Sequence, residues 1–433
     1  MKEESTDPLI DVSQLKLGMF IHLDLGWMSH PFPLSSFKLA TEDQLLILRR
    51  LGLSQLRWSP GKSDLEADAT PMDARQSAAA ASAAESGKAA VKSAEELALE
   101  AHRDALAAQR AALQLCERQY GEAAQAFKDV MELVPRDPRN AKDQSLALTG
   151  ALLDKMLIEG ELNIRLLNEG AGDRSAAHAL NVSIISLLLG RAFGMGRDEM
   201  MDLGVGALLH DVGKIEVLAR LRNRDESFTS AEIAAYQQHV AKGVALAQGM
   251  GLSTGSLLII AQHHENADGS GFPQRINMDR MSAGARIVAL VNRFDGLCNP
   301  LLASKAMTPH EALSLMFAQG RNRFDATMLN GFIRMMGVYP PGSTVQLTDD
   351  RFALVVAVNS SRPLKPRVMV HEPKIPREEA LVLNLESQPD LGIRRSLKPQ
   401  QLPRASLDYL SPRARVAYFF EPVMATGPGE LAA

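Results

Sequence analysis

The pattern of apolar positions changes period twice along this chain. From Glu95 to about Asn168 the repeats are mostly helical, carried by Leu97, Leu106, Leu113, Leu115, Phe127, Val130 and Met131, and Pro135, Pro138 and Asn140 divide the segment into two helices. Further helices are predicted over Ala176 to Phe193, along the apolar run Val205 to Leu209, after the capping-box pattern Thr229-x-x-Glu232, over Ala285 to Asp295, and near Asn330 to Met336. Tyr339-Pro340-Pro341-Gly342 then stops the helical pattern. Beyond it Ser343 to Leu347, the turn residues Asp349-Asp350 and Phe352 to Val358 predict a hairpin, with a further strand over Arg367 to Val370. Near the N-terminus, Met19 to Leu23 and Gln55 to Trp58 are strand-like around a helical segment after Thr41, punctuated by Gly18, Gly26 and Pro31-Phe32-Pro33.

The expected class is mainly α. Five regions are predicted: a small α+β N-terminal domain over 8–62, an Ala/Ser-rich linker over 63–93, a helical hairpin or cap over 94–168, a helical catalytic domain over 169–338, and a β hairpin with a C-terminal strap over 339–433, frayed after Val423. Composition adds little to this division. The 433 residues give room for about three domains, and a 46% apolar fraction is ample for packed cores. A net charge of −4 gives no general push toward nucleic acid polymers. With no apolar run of about 18 residues and no signal-peptide pattern, a cytoplasmic location without a membrane segment is the default expectation. Cys116 and Cys298 are far apart and suggest no disulfide framework; the expected use of Cys298 is as a small buried hydrophobe.

The chemistry is concentrated between residues 178 and 273. Five of the ten histidines fall there, as His178, His210, His239 and the pair His263-His264, with Asp211 beside His210. Imidazole and carboxylate together suit Fe, Mn, Zn or Ni, and two such ions about 3.5–4 Å apart form a clamp for displacement at phosphorus. A lone His-Asp pair is more often structural, but four further histidines in the same stretch shift the balance toward a metal site. Adjacent helical residues point about 100° apart, so His263 and His264 would both be used by two metals, or by one metal and one substrate contact. Asp211 has two oxygens with which to bridge two metals. Lys214, three residues on, shares its face if the helix continues, and Gly213 relaxes the chain between them. Asp268-Gly269-Ser270-Gly271 is a turn that would rim the site, whereas histidines 22, 30, 102, 310 and 371 lack such company and suit surface or packing roles.

Ala207 to Ile215, His239, and His263-His264-Glu265 with Asp268-Gly269-Ser270-Gly271-Phe272-Pro273 resemble the HD-GYP subgroup of the HD phosphohydrolases in identity, order and separation, over roughly residues 160 to 340. Leu15 to Phe20, Trp27 and His30-Pro31-Phe32 resemble the small domain of unknown function that precedes some HD-GYP domains. The resemblance implies an HD-type helical bundle with a centre of two or three divalent ions, Fe or Mn, of which two would be held by His178, His210, Asp211, His239, His263, His264 and residue 292. It also implies hydrolysis of cyclic di-GMP by a hydroxide that the two metals activate, with Asp211 and Lys214 catalytic and Lys214, Gly271, Phe272, Pro273 and Asp295 toward the substrate.

Several positions depart from the family pattern. Asn292 stands where the family has Asp, which removes a negative charge from one metal, and Arg174 stands where some members carry an acidic ligand, which argues against a third ion. Two ions rather than three suggest linear pGpG as the product rather than GMP. Phe272 replaces a tyrosine and keeps its ring without the hydroxyl, while Asn299 to Ser304 replace a run with basic residues and leave Lys305 as a looser substitute. These changes sustain a second reading, a weak or inactive module that binds a nucleotide or a partner protein such as a GGDEF-type cyclase. A broader HD nucleotide phosphohydrolase is disfavoured by the Gly-Phe-Pro loop. A homodimer through the helical hairpin is compatible with the pattern.

Overall fold

The computed structural model describes residues 7–26, 30, 32, 36–64, 93–157, 160–167, 173–224, 226–320 and 322–423. Trp27, most of the predicted Ala/Ser-rich linker and the predicted frayed tail after Val423 lie outside the described residues. The chain divides into two compact units, residues 1–103 and 104–433.

In the first unit β1 (Leu9–Asp11), β2 (Phe20–His22), β3 (Ser36–Lys38) and β4 (Gln55–Ser59) form an antiparallel sheet in the order β1-β4-β2-β3. Helix α1 (Glu42–Arg50) starts at a complete capping box, with Thr41 and Gln44 satisfying each other's backbone N–H groups. Leu45 and Leu48 from α1 join Ile21, Phe32, Leu39 and Leu56 in one core. Phe32 is therefore a packing residue.

The second unit is built from helices. It contains all but the first ten residues of α2 (Ala94–Leu133), with α3 (Pro138–Met156), α4 (Arg174–Ala192), α5 (Arg197–Leu208), α6 (Ser230–Met250), α7 (Thr254–Gln262), α8 (Ala283–Cys298), α9 (Pro309–Gln319) and α10 (Ala326–Met336). The break between α2 and α3 falls where the prolines predict it, with Asp137 capping α3 and Pro138 at its first position. Helix α4 is long and apolar enough to span a membrane, which the sequence reading did not register, yet most of it is buried against α5, α8 and neighbouring elements. Burying each Leu or Ile of α4 contributes about 1.5–3 kcal/mol. Small residues allow the close contacts: a Cβ at Gly204 would meet Leu187 of α4 and Thr149 of α3, and one at Gly206 would meet Ile259 of α7.

The mainly α class is borne out, and the C-terminal strands are more extensive than a hairpin and a strap. Strands β5 (Leu162–Leu166), β6 (Thr344–Leu347), β7 (Phe352–Asn359), β8 (Arg367–Val370), β9 (Val382–Asn384), β10 (Ile393–Leu397) and β11 (Tyr418–Pro422) form a seven-stranded sheet, with helix α11 (Arg404–Leu410) preceding β11. The order β10-β6-β7-β5-β11 places β5, from before the catalytic helices, between β7 and β11. The expected strap is corrected here: Tyr418 pairs with Leu166 and Pro422 with Leu162, and the rings of Tyr418, Phe419 and Phe420 are buried.

Candidate metal centre

Three of the five histidines, His239 inside α6 and His210 and His263 just after α5 and α7, have rings that turn back on their own backbone. His210 Nδ1 lies 2.7 Å from Ala207 O, His239 Nδ1 2.6 Å from Tyr236 O, and His263 Nδ1 2.8 Å from Ile260 O, always the carbonyl three residues earlier. Because a carbonyl only accepts, each Nδ1 carries the proton and each Nε2 is left with a lone pair. For His178 the same part is played by Asp295, whose Oδ2 is 2.6 Å from Nδ1.

These lone pairs converge on one carboxylate. Asp211 Oδ2 lies 3.5 Å from His178 Nε2 and 3.4 Å from His210 Nε2, while Oδ1 lies 3.6 Å from His239 Nε2 and 3.8 Å from His263 Nε2. His264 joins the second group, so Asp211 belongs to two clusters of metal-ligand geometry, one with His178 and His210 and the other with His239, His263 and His264. Three observations show that metals fit. The Nε2 atoms of His178 and His210 face each other at 3.1 Å and those of His239 and His263 at 3.3 Å, separations at which two lone pairs repel unless a cation lies between them. Bonds of about 2.0–2.1 Å at tetrahedral or octahedral angles set donor atoms at about this spacing. Asp211 Oδ1 is buried without a hydrogen-bond partner.

Electrostatics favour the same state. Burial, with the neighbouring imidazoles, pushes His263 and His264 well below the usual histidine range, and burial lowers His239, so these rings are neutral donors. At Asp211 burial opposes ionisation, yet Lys214, His210 and His178 outweigh it and hold the carboxyl well below its ordinary value. Burial likewise opposes the charge on Lys214, and Asp211, whose Oδ2 accepts from Nζ at 2.6 Å, more than compensates and raises it. The continuing helix expected after His210 is instead a 3₁₀ turn over Val212–Glu216, which still brings Lys214 to Asp211. Gly213 is not a relaxed position either. A Cβ there would sit 2.0 Å from His239 O and 2.4 Å from Gly243 N, so the glycine is what lets this turn press against α6 and bring Asp211 to His239.

The cleft over this centre encloses 1120 Å³ and is lined by His178, Asp211, Lys214, His263, His264, Phe272 and Asn292 among others. Phe272 stacks on His264, with centroids 4.4 Å apart and planes 24° from parallel. Asn292, on α8, lines the cleft with no hydrogen bond to its side chain among the described residues, as suits an oxygen donor at the edge of the site. Asp295 does not face the substrate space and its expected role is corrected. It is 1% exposed and fully engaged, Oδ2 with His178 and Oδ1 accepting from Asn181 Nδ2 and Asn299 Nδ2, both at 2.8 Å, so it orients a ligand.

Pro273 is corrected in a similar way: it follows a cis peptide bond, is exposed and lies outside the cleft lining. Gly271 lies at the rim beside Phe272, and a Cβ there would lie 2.4 Å from Asn266 N and 2.5 Å from His264 O, so the glycine also closes the loop on itself. Glu265 is buried and accepts from the backbone N–H groups of Gln274, Arg275 and Ile276, which shapes that loop. Lys305 pairs with Glu226 at 2.9 Å and does not line the cleft. Burial pushes the Cys298 thiol well up, in keeping with a packing role.

Sequence reading missed Tyr236, whose hydroxyl is 3.4 Å from His264 Nε2, and the asparagines 181 and 299. Each had a signal in its spacing: Tyr236 and Asn181 are three residues from a ligand histidine, and Asn299 is four from Asp295. Of the cations around the cleft, only Arg174 was marked in the sequence. Arg174, Arg222, Arg224, Arg293, Arg323 and Arg415 come from five segments and line a cleft to which the run after α8 contributes no cation.

Residues 162–328 match the HD domain model, and residues 9–144 match a domain of unknown function, DUF3391. The chain thus contains an HD domain behind an N-terminal DUF3391 domain, in agreement with the expected resemblance. Among its relatives is the cyclic di-GMP phosphodiesterase PA4108 of Pseudomonas aeruginosa, 27% identical over 371 residues that cover 83% of this chain and 84% of that protein. The cyclic di-GMP phosphodiesterase PdeB of Borreliella burgdorferi is 22% identical over 44% of this chain and 50% of its own length. Among solved structures, an HDG"Y"P protein from Bdellovibrio bacteriovorus aligns with 75% of this chain and 97% of its own, at a TM-score of 0.40 and 17% identity.

Proposed function

We propose that this protein hydrolyses cyclic di-GMP to linear pGpG, using two divalent ions, Fe or Mn. The observation that carries the reading is Asp211, one part-buried carboxylate whose two oxygens each face a separate histidine group. His178 and His210 would hold one ion, and His239, His263 and His264 the other, with the Asn292 carbonyl as a neutral donor. Such ions supply Lewis acidity toward a phosphate oxygen and lower the pKa of water. In the reaction an oxygen from water bonds to phosphorus as the P–O3′ bond breaks, and the 3′ oxygen leaves with a proton. Lys214, fixed by Asp211, places a positive charge in the cleft where charge develops on the phosphate. Phe272 offers an apolar ring for a base to stack on. The relatives named as cyclic di-GMP phosphodiesterases support the choice of substrate.

The test is elemental analysis of anaerobically purified protein together with turnover of cyclic di-GMP on the same sample. Two ions per chain, turnover, and loss of turnover in Asp211→Ala are the expected results. One ion or none without turnover would sink the reading. The amide at Asn292 favours a second reading, a module that binds cyclic di-GMP or a GGDEF-type partner without turning it over. On that reading Asn292→Asp raises metal occupancy and creates activity, and no change in either counts against it.

A further inference from the structure

The C-terminal segment brings a cation to the cleft. Residues Ser411 to Ala417 link α11 to β11, and Arg413, Arg415 and Val416 among them line the space above the metal centre. Val416 is fixed on both sides: its N–H donates to Asn299 Oδ1 at 2.8 Å, and its carbonyl accepts from Asn299 Nδ2 and Asn181 Nδ2, both at 2.9 Å. Those two asparagines also hold Asp295, which orients His178. Arg415 is thus attached, through one set of hydrogen bonds, to the framework that positions a metal ligand.

Arg174 stands on the same side of the cleft. It opens α4 one turn before His178 and so shares its face. Its guanidinium touches only neutral acceptors, Asn223 Oδ1 and Asn299 O, both at 3.4 Å, and that of Arg415 reaches Leu301 O at 3.5 Å. Neither arginine forms an ion pair with a carboxylate among the described residues. Burial and then the nearby charge of Arg415 lower the pKa of Arg174, and the buried carboxylate of Asp295 opposes them less strongly. Two cations on one side of a cleft, neither paired directly with a carboxylate among the described residues, suit an anion, and guanidinium groups match phosphate oxygens in pairs.

We propose that Arg174 and Arg415 bind the second phosphate of the substrate, the one that is not cleaved, and so select cyclic dinucleotides over diesters with a single phosphate. The scissile phosphate is already served by the metal ligands and Lys214. This assignment rests on the phosphodiesterase reading above.

The experiment compares Mn-loaded full-length protein with Arg415→Ala, Arg174→Ala and Arg415→Lys on two substrates, cyclic di-GMP and bis(p-nitrophenyl) phosphate, which has one phosphate. Both alanine variants should lower the ratio of kcat/KM for cyclic di-GMP to that for the small diester by at least about tenfold, mainly through KM, with metal content retained and part of the ratio recovered in Arg415→Lys. An unchanged ratio, or an equal loss on both substrates, overturns the proposal while leaving hydrolysis established. If the wild type cleaves neither substrate, the phosphodiesterase reading has failed, and calorimetric titration with cyclic di-GMP decides: at least tenfold weaker binding by Arg415→Ala sustains the site, and equal affinity or no binding by the wild type removes it.

Discussion

Four of the five imidazoles of the centre are fixed through Nδ1, and Asp295 does this for His178 with a buried carboxylate. Asp295→Asn keeps the shape but removes the charge that makes His178 a strong donor. Metal affinity is expected to fall about 10–100-fold, measured by competition with a chelator, while thermal stability changes little; unchanged affinity would mean that His178 does not ligate. A pH dependence follows from the lowered His239, His263 and His264. Their folded pKa values lie below the ordinary 6.5, so below that pH the unfolded chain takes up protons that the fold refuses. Metal-free protein should therefore keep its stability above about pH 6.5 and lose it as the pH falls further. Denaturant melts across pH 5–8 check this, and a flat profile would contradict it. The clustering of His178, His210, Asp211, His239, His263 and His264 was legible because so many histidines in one stretch are rare. Asp295 was misread because chemistry alone does not distinguish a carboxylate that touches substrate from one that touches a ligand.

Among the elements, the contact between the Val212–Glu216 turn and α6 is the most exacting. Gly213→Ala would drive a methyl into His239 O, and the backbone shift should cost about 1–3 kcal/mol and loosen the second histidine group. A lower Tm with reduced metal content is expected; a Tm within a degree of wild type would refute the contact. Helices with local signals, such as the Thr229 capping box and the proline break before α3, were legible from sequence. Strand β11 was not, because what makes it a strand is its pairing with β5. That pair also carries Arg165 and Glu421, 3.1 Å apart and nearly buried. Glu421→Ala strands a buried guanidinium, and about 3–5 kcal/mol of stability should be lost, read by urea denaturation; a loss under 1 kcal/mol would show that water reaches Arg165.

At the scale of the whole molecule, the catalytic unit is closed by a sheet whose inner strand precedes the metal ligands and whose partner follows them. A chain ending at residue 411 would lack Tyr418, Phe419 and Phe420. Truncating one buried aromatic costs about 3–5 kcal/mol, and losing three exceeds much of the about 5–15 kcal/mol that holds a typical domain together. The shortened protein should be insoluble or lack a cooperative melt; a soluble, metal-loaded product would show that the helices stand without β11.

The same pairing sets a schedule for synthesis. Residues 165 and 421 are 256 positions apart, so at about 5–20 residues per second one edge of β5 waits roughly 13–50 s for its neighbour to leave the ribosome. During that interval the nascent chain exposes an apolar strand with unpaired amides, a template for mispairing that a chaperone would have to cover. Expression yield should then depend more on translation speed and chaperone supply than on the stability of the finished protein.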